Sequence, residues 1–269
     1  MLLAKITNDK YYTPISIANY CWEKVADIVG MDNISEIIEP SCGNGAFFQH
    51  PVYEPHFGYD IEPEMVGRNI IQADYLTSPI CYFPGRLVIG NPPYGRCMNL
   101  AQKFYKKSVE IADYIAFILP ISQYNNTNSM YEFDLIYSED LGEQYYSDIL
   151  LHCCFNIYRR PKSGMLNKKP SHKLKAISIC RQDSKGYTEQ PYDVCLCYWG
   201  NGSCGKIVDQ PGTYSAEYKI KVNDAEHYDE IVDFIKTYNW REYVNCIAAK
   251  KLQQFHIVDV LKNNFNWIE

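Results

Sequence analysis

No apolar run in this 269-residue chain approaches the roughly 18–20 residues that span a bilayer. The opening MLLAKITNDKYY meets Lys5, Asn8 and Asp9 before the apolar core of a signal peptide can form. The expectation is therefore a cytoplasmic protein with no membrane partner. An excess of positive charge is also missing, since 26 Lys and Arg face 32 Asp and Glu for a net charge of −6. That excludes a protein that coats nucleic acid by bulk phosphate neutralisation. A disulfide framework is missing too: the cysteine count is odd, at 11, and the spacings are irregular, which reads as reduced thiols. Cys195, Cys197 and Cys204 lack the second closely spaced pair that a closed zinc site wants, so no metal is expected.

One absence is local. From Leu151 to Gln182 there is no acidic residue, while Arg159, Arg160, Lys162, Lys168, Lys169, Lys173, Lys175 and Arg181 supply eight positive charges. A basic stripe thus sits inside an acidic chain, and phosphate is the partner it suits.

What is present is alternation. Residues 14–29 place Ile17, Tyr20, Cys21, Val25 and Ile28 at helical spacing, with Thr13 as the expected N-cap and Pro14 at the first helical position. Short apolar runs at 34–38, 57–59, 70–72, 87–90 and 114–119 read as buried strands, with a helix over 98–112 between the last two. Segments 151–158 and 174–181 read as two further strands flanking the basic loop. The expectation is α/β: a Rossmann-like, mostly parallel seven-stranded sheet with helices on both faces over residues 1–182. Residues 183–269 form a small α+β region, with a strand over 194–199 and helices over 226–237, 240–252 and 255–264.

Open sheets of this kind bind ligands beyond the carboxyl ends of their strands, and the chemistry of this chain collects there. The first strand runs into Glu39-Pro40-Ser41-Cys42-Gly43-Asn44-Gly45, whose glycines allow close backbone approach to a ligand. Phe48 stands where a dinucleotide fingerprint needs its third glycine, which disfavours a nicotinamide cofactor. The second strand ends in Asp60, placed to accept hydrogen bonds from ribose hydroxyls, and the third in Asp74-Tyr75. The fourth ends in Asn91-Pro92-Pro93-Tyr94. Its side-chain and backbone carbonyls offer two acceptors beside one aromatic face, an arrangement suited to a planar amine.

These motifs resemble those of the S-adenosylmethionine-dependent DNA adenine-N6 methyltransferases that carry Asn-Pro-Pro-Tyr. The resemblance rests on Tyr12-Thr13-Pro14, Glu39 to Gly45 with Phe47-Phe48, and Asn91 to Tyr94. It covers residues 12–122 well and 150–182 loosely. It implies a class I methyltransferase fold, S-adenosyl-L-methionine as cofactor, and duplex DNA with a flipped-out adenine as substrate in a bacterial or phage-type setting. The motif order resembles the gamma arrangement, which would leave target recognition or partner contact to 183–269; a specificity subunit or homodimer stays open.

Carried over by position, the resemblance implies that Thr13, Glu39, Gly43, Gly45, Phe47, Asp60, Asp74 and Tyr75 hold the cofactor. Asn91 and Pro92 would hold the amine, Tyr94 would stack on the base beside Pro93, and Phe155 would cover its other face. Arg159, Arg160, Lys168 and Lys169 would meet phosphates. Methylation of RNA or of a protein glutamine, or an inactive cofactor-binding subunit, are the alternatives. The mere 87 residues that follow Gln182 are few for a recognition domain.

Overall fold

The computed structural model describes residues 11–49, 54–171, 173–200, 202–246 and 251–268, without the side chains of 245 and 246. Part of the helix expected over 240–252, and the Cys246 thiol, lie outside the described residues. The chain divides into two compact units, Met1–Pro170 and Ser171–Glu269.

In the first unit β1 (Glu36–Glu39), β2 (His56–Asp60), β3 (Ile70–Gln72), β4 (Arg86–Gly90), β5 (Tyr114–Pro120), β6 (Asp134–Tyr146) and β7 (Ile149–Arg159) form one sheet. Its strand order is β3-β2-β1-β4-β5-β7-β6. The first five strands are parallel, while β7 runs antiparallel to both β5 and β6. This is a seven-stranded, mostly parallel sheet, as expected.

Side chains alternate across it with the period of two that a strand imposes. Ile37, Leu87, Ile89, Ala116 and Ile118 meet Ala18, Cys21, Trp22 and Val25 of α1 (Ile15–Ile28) on one face. Ile38, Val88, Ile115, Phe117 and Leu119 meet Ala101, Phe104, Tyr105 and Val109 of α2 (Asn99–Ile111) on the other. Among the described residues, one α-helix therefore covers each face.

Three expectations are corrected. The seventh strand is β6, not 174–181: its mixed sequence DLIYSEDLGEQYY and two register shifts suit a partly exposed edge strand, which has no run of apolar residues to betray it. The segment 174–181 instead supplies β8 (Ile177–Arg181) to a three-stranded antiparallel sheet in the second unit, ordered β8-β10-β9. Its partners are β9 (Val194–Cys197) and β10 (Glu217–Val222). The division therefore falls at Pro170 rather than after Gln182. Lastly, Thr13 does not cap α1. Pro14 is the N-cap, its carbonyl accepting from the amides of Ile17 and Ala18 at 3.0 Å each.

In the second unit α3 (Tyr228–Thr237), α4 (Trp240–Cys246) and α5 (Gln254–Asn264) contribute Ile231, Ile235, Trp240, Ile257 and Leu261 to one core with the sheet residues Leu196, Tyr218 and Ile220. Cys195 donates to Glu217, and Cys197 and Cys204 to the carbonyls of Trp199 and Tyr198. These thiols are absorbed by local structure.

His56, at the start of β2, is 6% exposed. Its ring lies on Phe48 at 3.7 Å and edge-on to Trp22, and its Nε2 has no partner among the described residues. Burial lowers its pKa from 6.5 to about 4. The fold favours the neutral ring, so its contribution to stability is full above pH 6.5 and is lost as pH falls toward 4. In urea unfolding compared between pH 7.5 and pH 5, wild type should lose about 2 kcal/mol more than His56→Phe. Equal losses would mean that the ring titrates normally in the fold.

Candidate active site

The carboxyl ends of β1, β2, β3 and β4 lie side by side, and the loops that leave them surround a cleft of about 320 Å³. Asp60 organises one wall. Its Oδ2 accepts from the Gly43 amide and its Oδ1 from the Glu62 amide, both at 2.8 Å, tying the loop after β1 to the end of β2. Gly43 has φ +47°, and a Cβ there would press on the Tyr12 ring at 3.2 Å; Gly45 has φ +78°, and a Cβ there would overlap Met65. Both positions need glycine for backbone conformation as well as space.

Asp74 builds the neighbouring turn, accepting the Leu76 amide at 2.9 Å through Oδ1. Tyr75 lines the cleft with its ring against Phe104 and its hydroxyl bonded to Ser108 Oγ at 2.9 Å. With Leu100 and Phe104 it makes the wall apolar. Glu39, at the end of β1, is 3% exposed and is not among the residues that line the cleft; its Oε2 has no partner among the described residues. Burial first, and the nearby Asp60 second, hold its carboxyl well above the usual range. A buried, unpaired carboxyl of this kind is ready to receive a cation or a hydrogen-bond donor.

Asn91 follows β4. Its Nδ2 donates to the Tyr11 carbonyl at 3.3 Å and to Thr13 Oγ1 at 3.2 Å. Its backbone carbonyl accepts from Ser41 Oγ at 3.2 Å. Its Oδ1 is buried and has no partner among the described residues. Pro92 is buried next to it, Pro93 lines the cleft, and the Tyr94 ring lies 6.1 Å from that of Tyr11 at 24°. The Tyr94 hydroxyl reaches Cys153 Sγ at 3.5 Å, and burial pushes its pKa up.

Several expected site residues stand elsewhere. Phe47 is packed in the α1 face of the core, where its carbonyl accepts from Trp22 Nε1, and it does not line the cleft. Phe155 is fully buried in the same core, because β7 lies inside the sheet between β5 and β6. Arg159 pairs in register with Tyr114 and so marks the opposite edge of the sheet from Gly90 and Asn91. Arg160 is held there by Asp113 at 3.1 Å and by the carbonyls of Val109 and Ala112, which its guanidinium caps at the carboxyl end of α2. Lys168 and Lys169 are exposed and follow Asn167, which is bonded to Glu132 and Asp134 at that same edge. The four basic residues therefore do not adjoin the cleft.

Tyr12 enters the sequence pattern only as the start of Tyr12-Thr13-Pro14, and Tyr11 not at all, yet the two line the cleft as a strap. Tyr12 exchanges backbone and side-chain bonds with Ser147 at the tip of the β6–β7 hairpin, at 3.0 and 3.2 Å, and its hydroxyl donates to Glu64. Partners 135 positions apart leave no local signal.

The loops that leave the strands are gathered over one edge of the seven-stranded sheet. No protein-family model matches the chain. Over 104 residues, 36% of the chain, it is 29% identical to Type II methyltransferase M.HincII of Haemophilus influenzae. It is equally similar to Type II methyltransferase M.HindII of Haemophilus influenzae strain ATCC 51907. The match spans 19% of the length of these relatives. Among solved structures, the Thermoplasma acidophilum protein 1320 overlaps 59% of this chain and 93% of its own, with a TM-score of 0.45 and 18% identity. The N-methyltransferase NodS of Bradyrhizobium japonicum overlaps 56% of this chain and 89% of its own, with a TM-score of 0.43 and 14% identity. Over those 104 residues the sequence is similar to Type II methyltransferases.

Proposed function

We propose that the chain is an S-adenosyl-L-methionine-dependent methyltransferase that acts on the N6 amine of adenine in DNA. The observation that carries this reading is the Asn91 side chain, with Nδ2 bonded on one side and a buried, unpaired Oδ1 on the other. An acceptor without a donor is costly when buried, and a substrate amine removes that cost.

The cleft residues fit the cofactor. Asp60 would take the ribose hydroxyls and Leu100 and Phe104 with Tyr75 the adenine; the buried Glu39 carboxyl at the end of β1, with Oε2 unpaired among the described residues, would take the charged methionine end. Gly43 lines the cleft without a side chain, and Gly45 shapes the loop beneath it through its positive φ. When bound, the cofactor supplies an electrophilic sulfonium methyl.

The rest is done by the chain. An adenine amine is a weak nucleophile because its lone pair is delocalised into the ring. Asn91 Oδ1 and the Pro92 carbonyl accept its two hydrogens, favour a tetrahedral nitrogen and aim the lone pair at the methyl. The acceptors are preorganised, since Ser41, Tyr11 and Thr13 hold Asn91 in place before substrate arrives. After transfer one proton leaves to solvent. A base inside a duplex reaches this site only by extrusion, and Tyr94 offers it an aromatic face. The partial similarity to Type II DNA methyltransferases supports DNA as acceptor, and the second unit is the region left for target recognition.

The test is a competition. Unmethylated duplex DNA, RNA and a glutamine-containing peptide, mixed with tritiated cofactor and the full chain, should yield label in DNA. Label confined to RNA or peptide would keep the transfer chemistry and replace the substrate.

A further inference from the structure

We propose that a cavity at the edge of the large sheet opposite the cleft is a phosphate-binding site built around Arg159. Nothing in the function proposed above requires it, and the two stand or fall separately. The cavity holds about 510 Å³ between the carboxyl end of α1 and the start of β5. Arg159, Arg160 and Lys162 line it, with Asp113 as the one carboxylate among the described lining residues.

Which of these charges is free decides what the cavity can hold. Arg160 is spent: it is paired with Asp113, it caps α2, and its guanidinium lies over the Tyr82 and Phe133 rings. Asp113 is spent as well, since it also accepts from the Tyr82 hydroxyl at 2.9 Å and the Gly85 amide at 2.8 Å. Arg159 differs. Its Nε is buried and has no partner among the described residues.

The protein acceptors around Arg159 are taken by other donors. An arginine beside the end of a helix commonly closes the last carbonyls. In α1, however, Val25 and Ala26 accept the amides of Val29 and Gly30, and Val29 accepts from Asn33 Nδ2 at 2.7 Å. Asp134, which faces Arg159 across the β6–β7 pair, accepts from Asn167 Nδ2 at 2.8 Å. A guanidinium cannot shed its proton, so leaving it without an acceptor costs free energy that an incoming anion removes. Its planar fork matches two oxygens of one phosphate, and the exposed Lys162 adds a second charge at the rim. Two cations are thus left over once Arg160 and Asp113 are paired, which suits a group with one to two negative charges. Such a group is carried by a nucleic-acid backbone or by a free phosphate ester.

The experiment titrates the full-length wild type, Arg159→Met and Arg159→Lys with inorganic phosphate, with sodium acetate holding the ionic strength constant. Wild type should bind with a Kd of about 1 mM, on the scale of two hydrogen bonds to a charged group. Arg159→Met should weaken binding at least about tenfold, and Arg159→Lys, which keeps the charge and loses the fork, by less. Nitrogen-edited spectra of wild type locate the ion without relying on any variant to fold. Phosphate should shift the amide signals of Asn33, Lys162 and Gly164 and leave those of Gly43 and Asp74 in place. Shifts confined to Gly43 and Asp74, no binding by wild type, or equal binding by Arg159→Met would overturn the proposal.

A short duplex DNA then separates the two sources of the phosphate. If the backbone supplies it, Arg159→Met should bind the duplex more weakly than wild type and with a salt dependence shallower by about one contact. Duplex binding unchanged in a variant that has lost inorganic phosphate assigns the site to a free phosphate ester; either result supports the site. A chain that binds phosphate at this edge and transfers no methyl group would sink the proposed function and leave the Arg159 site standing.

Discussion

Replacing Asn91 with alanine should lower kcat for methyl transfer by about 10²–10³-fold and leave cofactor affinity within about twofold, the scale found when one preorganised hydrogen-bonding group is removed from a reacting centre. The separation follows from what the side chain touches. Its Nδ2 is spent on the strap and its Oδ1 bonds nothing among the described residues, so its free acceptor is available only to a substrate. Removing it costs the transition state an acceptor at the amine and costs the cofactor little. Single-turnover transfer from tritiated cofactor reports the first quantity, and calorimetry with S-adenosylhomocysteine the second. A parallel loss of cofactor affinity would mean that Asn91 belongs to the cofactor pocket.

Asp60→Ala reverses the pattern. Both carboxylate oxygens already accept backbone amides, from Gly43 and Glu62, and each oxygen has a second lone pair that can serve ribose hydroxyls. The substitution removes the ligand's acceptors and also releases the loop that carries Gly43. Hydrogen bonds to a charged group contribute about 1.5–3 kcal/mol each, so the Kd for S-adenosylhomocysteine should rise by roughly 10–100-fold. At saturating cofactor kcat should fall far less. Asp60→Asn, which keeps one side-chain acceptor, should fall between the two. Unchanged affinity in Asp60→Ala would move the cofactor away from the end of β2.

The part of the site legible in the sequence is the part built from strand ends. A buried parallel strand is a short apolar run, and its carboxyl end is marked where the run stops at Glu39, Asp60 or Gly90. Those residues did come together at one edge. The part that was not legible depends on contacts with no local period. β6 is partly exposed, carries Glu139, Asp140 and Glu143, and is irregular in register, so its texture is that of a loop. β8 has the same apolar texture as a strand of the large sheet, and only its pairing with β10 shows that it belongs to the smaller one.

The same limit explains the individual residues. Thr13 before Pro14 has the local pattern of a helix cap, yet its hydroxyl is taken by a residue 78 positions away. Phe47 reads as a cofactor contact and Phe155 as a cover for the base because aromatic side chains serve both pockets and cores, and burial alone separates the two uses. The basic stripe is continuous in sequence, but antiparallel β7 carries its first members to the edge away from the cleft. Arg160 there closes the end of α2.

The most direct test of the account is nucleoside analysis of unmethylated duplex DNA incubated with S-adenosyl-L-methionine and either the wild-type chain or its Asn91→Ala variant. The wild-type reaction should yield N6-methyldeoxyadenosine, and the variant at most about one hundredth as much at equal time. Equal yields from both, or no methylated adenine from a wild-type chain that binds the cofactor, would contradict it.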